Sequence, residues 1–364
     1  MTHSSKKNRI IFIDLMRAFA VLMMVQGHTV DVLLSNDYRT PDSPFFAVWF
    51  FMRGMTAPIF MFTAGTVFIY LFRLINEPFN NNPRVFKGIK RFMLLVGLGY
   101  FLRYPTSSII DFSEVSQKSW NIFLAVDVLQ LIGVGILLLI ICAFIAEKMK
   151  VSDYIIFSAA GIAFFLLYPV AESINWINFL PQFFSSYFYT GTGSLFPLFP
   201  WAGYLLCGGV LGSYLAKNPE VFRSPVFSLK LLVTGTIFIC SSFFSYSAEE
   251  FIYGKHAADN LMIGTILLRI GFVLILNGVI SFISLEIDYI PRLIILIGRN
   301  TLLIYVVHLI ILYGSAWSPG LSQLFAKSFS VWNTIGTALT MILLMAGMVI
   351  LIHKLKIKNK QLVT

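Results

Sequence analysis

The sequence predicts an all-α integral membrane protein with about ten transmembrane helices in one bundle and both termini in the cytoplasm. Hydrophobic residues make up 57% of the 364 residues, and charged residues only 12%. The apolar runs are too long and too many for one soluble core. Lys and Arg also concentrate on one side of the resulting topology, which sets its orientation.

Ten apolar runs define the predicted spans, with boundaries uncertain by about four residues. They cover residues 10–34, 45–73, 91–105, 120–146, 152–170, 195–216, 227–246, 260–285, 293–314 and 331–353. The third run is the shortest, with about fourteen apolar residues where a span needs about 20, so it is predicted to be tilted, bent or re-entrant. No loop is long enough for a second domain, and residues 1–364 are predicted to form a single transmembrane domain.

Two segments have specific interpretations. The first run carries Asp14, Arg17 and His28 and has no small-residue cleavage site after it, so it is predicted to be a span and not a cleaved signal peptide. Residues 171–194 form the longest loop. The many aromatic side chains of this loop indicate an element at the membrane surface.

The basic residues give the orientation. In the ten-helix topology one face carries 18 Lys and Arg residues, and the opposite face carries five. The rich face holds Lys6, Lys7, Arg9, Arg73, Arg84, Lys87, Lys90, Arg91, Lys148, Lys150, Lys217, Arg223, Lys230, Arg292, Lys354, Lys356, Lys358 and Lys360, and the poor face holds Arg39, Arg103, Lys118, Lys255 and Lys327. The positive-inside rule therefore places both termini in the cytoplasm, with the plasma (inner) membrane as the predicted location.

Composition also excludes several classes of function. The net charge of +10 follows the short loops and indicates membrane orientation, so no nucleic-acid partner is predicted. Cys142, Cys207 and Cys240 each lie inside an apolar run, without a CxxC or metal-ligand spacing. These cysteines argue against disulfides and against a metal site.

Five ionisable residues on five predicted helices share the outer half of the membrane. At a rise of about 1.5 Å per residue, His28 lies about 27 Å from the cytoplasmic start of its span and His308 about 24 Å. Arg53, Asp127 and Arg269 fall roughly 10–14 Å below the outer face. An ionisable side chain in the hydrocarbon core of a membrane is energetically unfavourable, so this level of the bundle is the predicted functional site.

Structural explanations for these residues remain open. A single His or Arg near a helix end can extend its polar group to the lipid headgroups, and an intramembrane ion pair can be purely structural. Asp127 requires a proton, water or a cation, and Arg53 and Arg269 are the available cations at its depth. Asp14 and Arg17, three residues apart, fit a local ion pair at the cytoplasmic boundary.

Several motifs resemble a known family. "RIIFIDLMRAFAVLMMVQGH" followed by "RGMTAPIFMFTAG" is similar to the opening of the transmembrane acyltransferases that include the heparan-alpha-glucosaminide N-acetyltransferase group and its bacterial relatives. "VDVLQLIGVG", "FPLFPWAGYLLCGGVLG" and "IGRNTLLIYVVHLIILYG" resemble later motifs of that group in the same order. The resemblance runs from residue 9 to about residue 314. The chain lacks a large luminal or periplasmic domain and has a Gln before "GH", which leaves the acceptor open.

The resemblance implies transfer of an acetyl group from acetyl-CoA to a sugar or amino-sugar acceptor. His28 suits the role of base, or of a nucleophile that is transiently acetylated, and the sequence does not separate the two. Arg53, His308 or Tyr305 can stabilise the oxyanion, and Asp127 can orient a histidine. The phosphates of the donor are predicted to meet cationic side chains on the cytoplasmic side. These candidates are Arg17, Arg73, Arg84, Lys87, Lys90, Arg91 and Arg299, and no metal is predicted.

Two other classes of function remain as alternatives. A secondary transporter or flippase also places charges at mid-depth, although no convincing paired repeat surrounds "TAPIFMFTAG" and "SLFPLFPWAG". A structural or sensory membrane protein would not need these ionisable residues at one level. Gly208, Gly209 and Gly212 permit close packing either inside the bundle or between subunits, so a homodimer is one arrangement the sequence allows.

Overall fold

The computed structural model describes residues 11–40, 42–253, 263–287 and 290–361. The part of the chain described in this way is helical, with isolated β-bridges and no β-strand. This confirms the predicted all-α membrane fold. Lys6, Lys7, Arg9, Lys255 and the first residues of the predicted spans at 10 and 260 lie outside the described residues.

Fifteen α-helices are described here in chain order. They are α1 (Ile11–Leu33), α2 (Pro44–Arg73), α3 (Pro83–Leu102), α4 (Gln117–Leu124), α5 (Val128–Met149), α6 (Asp153–Leu166), α7 (Tyr168–Ser173), α8 (Gln182–Ser185), α9 (Leu198–Lys217), α10 (Pro225–Tyr253), α11 (Ile263–Glu286), α12 (Arg292–Arg299), α13 (Thr301–Tyr313), α14 (Leu321–Phe325) and α15 (Val331–Gln361).

Seven helices within the described residues are long and apolar enough to cross a membrane, or up to eight if α12 and α13 form one bent span. The seven cover Pro44–Arg73, Gln117–Lys148, Asp153–Ser173, Leu198–Lys217, Pro225–Ala248, Ile263–Glu286 and Val331–Lys358. Helix α1, with 23 residues, is not among these candidates. The count of ten spans and the side of the termini therefore stay predictions.

Several predicted helices differ from the observed ones. The fourth run is interrupted at residues 125–127, which separate α4 from α5. The ninth run bends by 76° between α12 and α13. The third run is longer than expected, because α3 begins at Pro83, after the Asn82 N-cap, and ends before Arg103. Residues 171–194, predicted as a loop, include part of α7, all of α8 and two short 3₁₀ segments.

The chain divides into two compact units, and the boundary falls inside α2 between Phe60 and Met61. The first unit contains residues 61–286, and the second contains residues 11–60 together with the chain from residue 287 onward. The single domain predicted from the sequence stays a prediction. Each unit is described separately below.

Glycines hold the first unit together where α2 meets α9. A Cβ added at Gly208 would overlap the carbonyl of Phe62, and one added at Gly212 would overlap that of Thr66. On the facing helix, a Cβ at Gly65 would overlap the Leu205 carbonyl. Gly208 and Gly212, four residues apart, thus form a small-residue face of the kind that lets membrane helices pack backbone to backbone. The glycines of α9 serve packing inside this unit.

The second unit is built around α1. Phe12, Met16, Ala20 and Val25 of this helix are buried. Gly298 of α12 lies against α1, because a Cβ added there would come 2.5 Å from the Asp14 carbonyl oxygen. Asn300 then ends α12, with its side-chain amide donating to the Leu296 carbonyl at 2.8 Å. The Gly-Arg-Asn motif therefore fixes how α13 leaves α12.

Candidate active site

The second unit brings together the two histidines that the sequence placed at similar depth. His28 lies in the penultimate turn of α1, and His308 lies in the middle of α13. Their ring centroids are 5.5 Å apart with a 42° angle between the planes. The His308 side chain is fully buried, at 0% exposure. Two imidazoles in contact, one of them buried, form a site where a proton can be held away from bulk solvent.

The backbone fixes the tautomer of His308. Its Nδ1 lies 2.8 Å from the carbonyl oxygen of Ile304, one turn earlier in α13. A carbonyl only accepts hydrogen bonds, so Nδ1 carries the proton, and in the neutral ring Nε2 keeps a lone pair. Among the residues that the structure describes, this buried Nε2 has no hydrogen-bond partner. His308 therefore presents a nitrogen with a free lone pair, which is the group a general base requires.

Tyr313, at the end of α13, orients His28. The tyrosine hydroxyl lies 3.1 Å from His28 Nδ1, and the two rings meet edge to face with centroids 5.8 Å apart. If the hydroxyl donates, Nε2 of the neutral His28 ring carries a proton; if His28 Nδ1 donates, Nε2 is the lone-pair nitrogen. On the other side of the pair, Tyr305 packs edge to face on His308 with centroids 5.5 Å apart.

Asp31 on α1 pairs with two arginines from outside that helix, Arg39 and Arg53. Asp31 follows His28 by three residues and so lies on the same side of the helix. Its carboxylate accepts a hydrogen bond from Nε of Arg53 and lies 3.7 Å from Nη1 of Arg39. Arg39 also donates hydrogen bonds to the Leu34, Val30 and Asp31 carbonyls. These bonds satisfy carbonyl groups at the C-terminal end of α1 that have no partner within the helix. The sequence identified Arg53 but not Asp31, although its spacing from His28 was a usable signal.

Asp127 has a different setting from the one expected. It is the N-cap of α5, not a residue in the middle of a helix, and it takes part in a capping box with Gln130. Its Oδ1 accepts from the Val128 amide at 2.7 Å, and its Oδ2 accepts from Arg103 Nη2 at 2.6 Å. The partner is therefore Arg103, where the sequence offered Arg53 or Arg269. The break before α5 allows this pair, because it frees the start of α5 to be capped by a charged side chain.

Arg73 belongs to an ion-pair network in the first unit. Its Nη2 lies 2.6 Å from Asp153 Oδ1, and its Nη1 lies 4.0 Å from Glu147 Oε2. Asp153 also accepts from the Ser213 hydroxyl at 2.5 Å and lies 3.5 Å from Lys217 Nζ. This network ties α2, α5, α6 and α9 together at one end.

The other cationic candidates differ in exposure. Lys87, Lys90 and Arg91 on α3 are exposed, Arg84 is half-buried, and Lys90 stacks over the Phe86 ring at 4.5 Å. In the second unit, Arg17 donates to the Thr301 hydroxyl at 3.3 Å, whereas Arg299 is exposed. Within the described ranges there is no group of three or more His, Cys, Asp or Glu side chains placed to hold a metal ion.

The fold defines a multi-pass integral membrane protein. Its particular family is given by a family model for the catalytic region of heparan-alpha-glucosaminide N-acetyltransferase, which matches residues 9–246. This match covers more than half of the chain, so the chain belongs to that family. The matched region contains His28, Arg53 and Asp127 and ends before Arg269 and His308. A search of curated proteins found no match.

Family membership confirms the resemblance seen in the motifs over residues 9–246. It indicates an N-acetyltransferase-like membrane enzyme.

Proposed function

We propose that the chain transfers an acetyl group from acetyl-CoA to a sugar or amino-sugar acceptor on the extracytoplasmic side, and that His28 and His308 carry the chemistry. The observation that supports this proposal most directly is the contact between the two imidazoles, one with a buried lone-pair nitrogen. Membership of an N-acetyltransferase family favours this function over a transporter.

The proposed chemistry needs three things from the protein. A base takes the proton of the attacking amine or hydroxyl, a donor stabilises the oxyanion, and an acid protonates the departing thiolate. His308 Nε2 suits the base because its lone pair is fixed by the Ile304 carbonyl. When the Tyr313 hydroxyl donates to His28 Nδ1, the Nε2–H of His28 serves as the donor to the oxyanion. The His308 imidazolium formed in the first step then returns its proton to the departing thiolate.

The second route uses His28 as a nucleophile. In the arrangement where His28 Nδ1 donates to Tyr313, Nε2 carries the lone pair and can attack the thioester carbonyl. The C–S bond then breaks, the coenzyme A thiolate leaves, and the acetyl group stays on Nε2 until the acceptor attacks it. His308 then deprotonates the acceptor in the second step. The two routes differ in one observable: an acetylated His28 that accumulates when donor is present and acceptor is absent.

Arg53 and Asp127 have supporting roles in this proposal. Arg53 is anchored by Asp31 on α1, three residues from His28, and adds positive charge for a developing oxyanion. Asp127 holds the start of α5 through its capping box and Arg103, so its contribution to turnover is one of positioning.

The donor is assigned to basic side chains of α3, of which Lys87, Lys90 and Arg91 are exposed and Arg84 is half-buried. Arg84, Lys87 and Arg91 follow each other at intervals of three and four residues, which places them along one side of α3. Exposed cations of this kind suit the phosphates of acetyl-CoA, as does Lys90, while Arg73 is already neutralised by Asp153. Arg17 and Arg299 remain candidates in the second unit. The charge asymmetry of the loops favours the cytoplasm as the source of donor.

Acetyl transfer by purified protein tests the proposal. With acetyl-CoA labelled in the acetyl group and glucosamine as acceptor, wild type should form labelled N-acetylglucosamine. His28→Ala and His308→Ala should each lower turnover about 10²-fold or more, the usual contribution of a general acid or base. His353→Ala, a histidine on α15, is the matched control and should keep wild-type turnover. Labelled product from His28→Ala and His308→Ala at wild-type rates would overturn the assignment.

A further inference from the structure

A second polar cluster lies in the first unit, outside the proposed site. It consists of Arg269 on α11 and of Trp201 and Tyr204 on α9. The Arg269 guanidinium carbon lies 5.1 Å from the centre of the Trp201 ring, so one face of the cation is stacked on an aromatic surface. The Trp201 and Tyr204 ring centroids are 5.9 Å apart.

Three polar atoms of this cluster, on Arg269 and Tyr204, form no well-aligned hydrogen bond, although the two side chains face each other. Within the described residues, Nε and Nη1 of Arg269 are buried and neither donates a hydrogen bond. The Tyr204 side chain is 0% exposed, and its hydroxyl also has no hydrogen-bond partner there. Stacking on an aromatic face leaves the in-plane N–H groups of a guanidinium unsatisfied, so Trp201 does not account for them.

Such an arrangement is energetically unfavourable unless a ligand supplies a counter-ion and hydrogen-bond acceptors. A buried cation without a counter-ion is strongly disfavoured, and buried N–H and O–H donors left without acceptors add to the cost. Arg269 is also not among the arginines that form ion pairs in the described part of the chain. Lysine would supply a point charge, but a guanidinium offers several in-plane donors that match the oxygens of a phosphate.

The start of α9 adds to the positive potential. Phe199 has extended backbone dihedrals, so the regular helix continues from Pro200, and no side chain caps this end. The positive end of the helix dipole therefore lies in the first turn, which carries Trp201 and precedes Tyr204. The guanidinium and the neighbouring hydroxyl together with the helix end favour an anion with oxygen acceptors.

We propose that Arg269, Tyr204 and the start of α9 form a binding site for a phosphate group, with Trp201 holding the guanidinium in place. The inference does not depend on the proposed acetyl transfer. A phosphate can come from the donor nucleotide or from a phospholipid headgroup, and both present the same tetrahedral oxyanion. The predicted contacts are hydrogen bonds from Arg269 and from the Tyr204 hydroxyl to phosphate oxygens.

Thermal unfolding of the full chain in neutral detergent tests the site with inorganic phosphate as the probe. At constant ionic strength, replacing chloride by phosphate should raise the unfolding temperature of wild type. Arg269→Gln should lose the phosphate response, and Tyr204→Phe should weaken phosphate affinity several-fold. Arg223→Gln removes an exposed arginine that pairs with Glu220, and this control should keep the full response. An absent response in wild type, or an equal response in Arg269→Gln, would overturn the proposal.

A second variant separates binding from a structural role. Arg269→Met keeps much of the apolar stem and removes the unpaired charge, so without phosphate it should unfold at the same temperature as wild type or higher. A clear fall in the unfolding temperature would mean that Arg269 stabilises the empty fold by stacking, and it would contradict the proposal.

The source of the phosphate is read from competition. If coenzyme A abolishes the added stabilisation by inorganic phosphate, the donor nucleotide supplies the phosphate group. If phosphatidylglycerol abolishes this stabilisation and phosphatidylcholine does not, the lipid headgroup supplies the phosphate group. Either result identifies the ligand of the phosphate site. Because these experiments measure binding and not transfer, their failure would leave the test of His28 and His308 unaffected.

Discussion

Replacing Asp127 tests the structural reason for the break between α4 and α5. Asp127 makes two separable contributions: it caps α5, and it pairs with Arg103 at 2.6 Å. An N-cap is worth about 1 kcal/mol. The ion pair is about one-fifth exposed on both sides, so its charged hydrogen bond is expected to contribute about 1.5 kcal/mol.

Two variants separate these contributions. Asn caps a helix as well as Asp, so Asp127→Asn should lose only the pair, about 1.5 kcal/mol. Asp127→Ala should lose both, about 2.5 kcal/mol. For a unit of this size, these losses correspond to falls of roughly 3–6 °C and 5–10 °C in the unfolding temperature. Tryptophan fluorescence of purified protein during heating measures both shifts.

A double-variant cycle provides the control. Once Arg103→Gln has removed the partner, adding Asp127→Asn should cost little further stability, because neighbouring residues in one ion pair are not additive. Equal shifts for Asp127→Asn and Asp127→Ala would refute the capping role. Full additivity with Arg103→Gln would refute the pair.

Two further predictions concern packing and orientation. Gly208→Ala should prevent the close contact of α9 with α2 and destabilise the fold by about 2 kcal/mol or more in thermal unfolding. Gly97→Ala is the control and should not destabilise the fold, because a Cβ added there meets nothing within 4 Å. Equal stability of the two variants would contradict the backbone contact. A single cysteine at Asn81, in a background without the native cysteines, should react with a membrane-impermeant thiol reagent only after cells are permeabilised; labelling in intact cells would reverse the predicted orientation.

Most helices could be predicted from hydrophobicity, because lipid requires long apolar runs whose backbone groups are satisfied internally. The run at 45–73 corresponds closely to α2, and that at 195–216 to α9. The break before α5 was missed because Ala125 and Val126 are themselves apolar and continue the run. The spacing of Asp127 and Gln130 was a capping signal within it.

The candidate site was only partly predictable. Depth along a helix follows from counting residues, so His28 and His308 could be assigned to one level. Their ring contact depends on which sides of α1 and α13 face each other, and this depends on the packing of Gly298 and the bend at Asn300. The partners of Asp31 and the tautomer of His308 depend on particular atoms, which a one-dimensional pattern does not specify.

The central claim is that His28 and His308 act as one unit in acetyl transfer, and a double-variant cycle on turnover tests it most directly. Turnover of labelled acetyl groups to glucosamine is measured for wild type, His28→Ala, His308→Ala and the double variant. Residues that act together lose their separate effects, so the double variant should be within a few-fold of the weaker single variant. A double variant whose loss equals the product of the two single losses would show that the histidines act independently and would contradict the shared site.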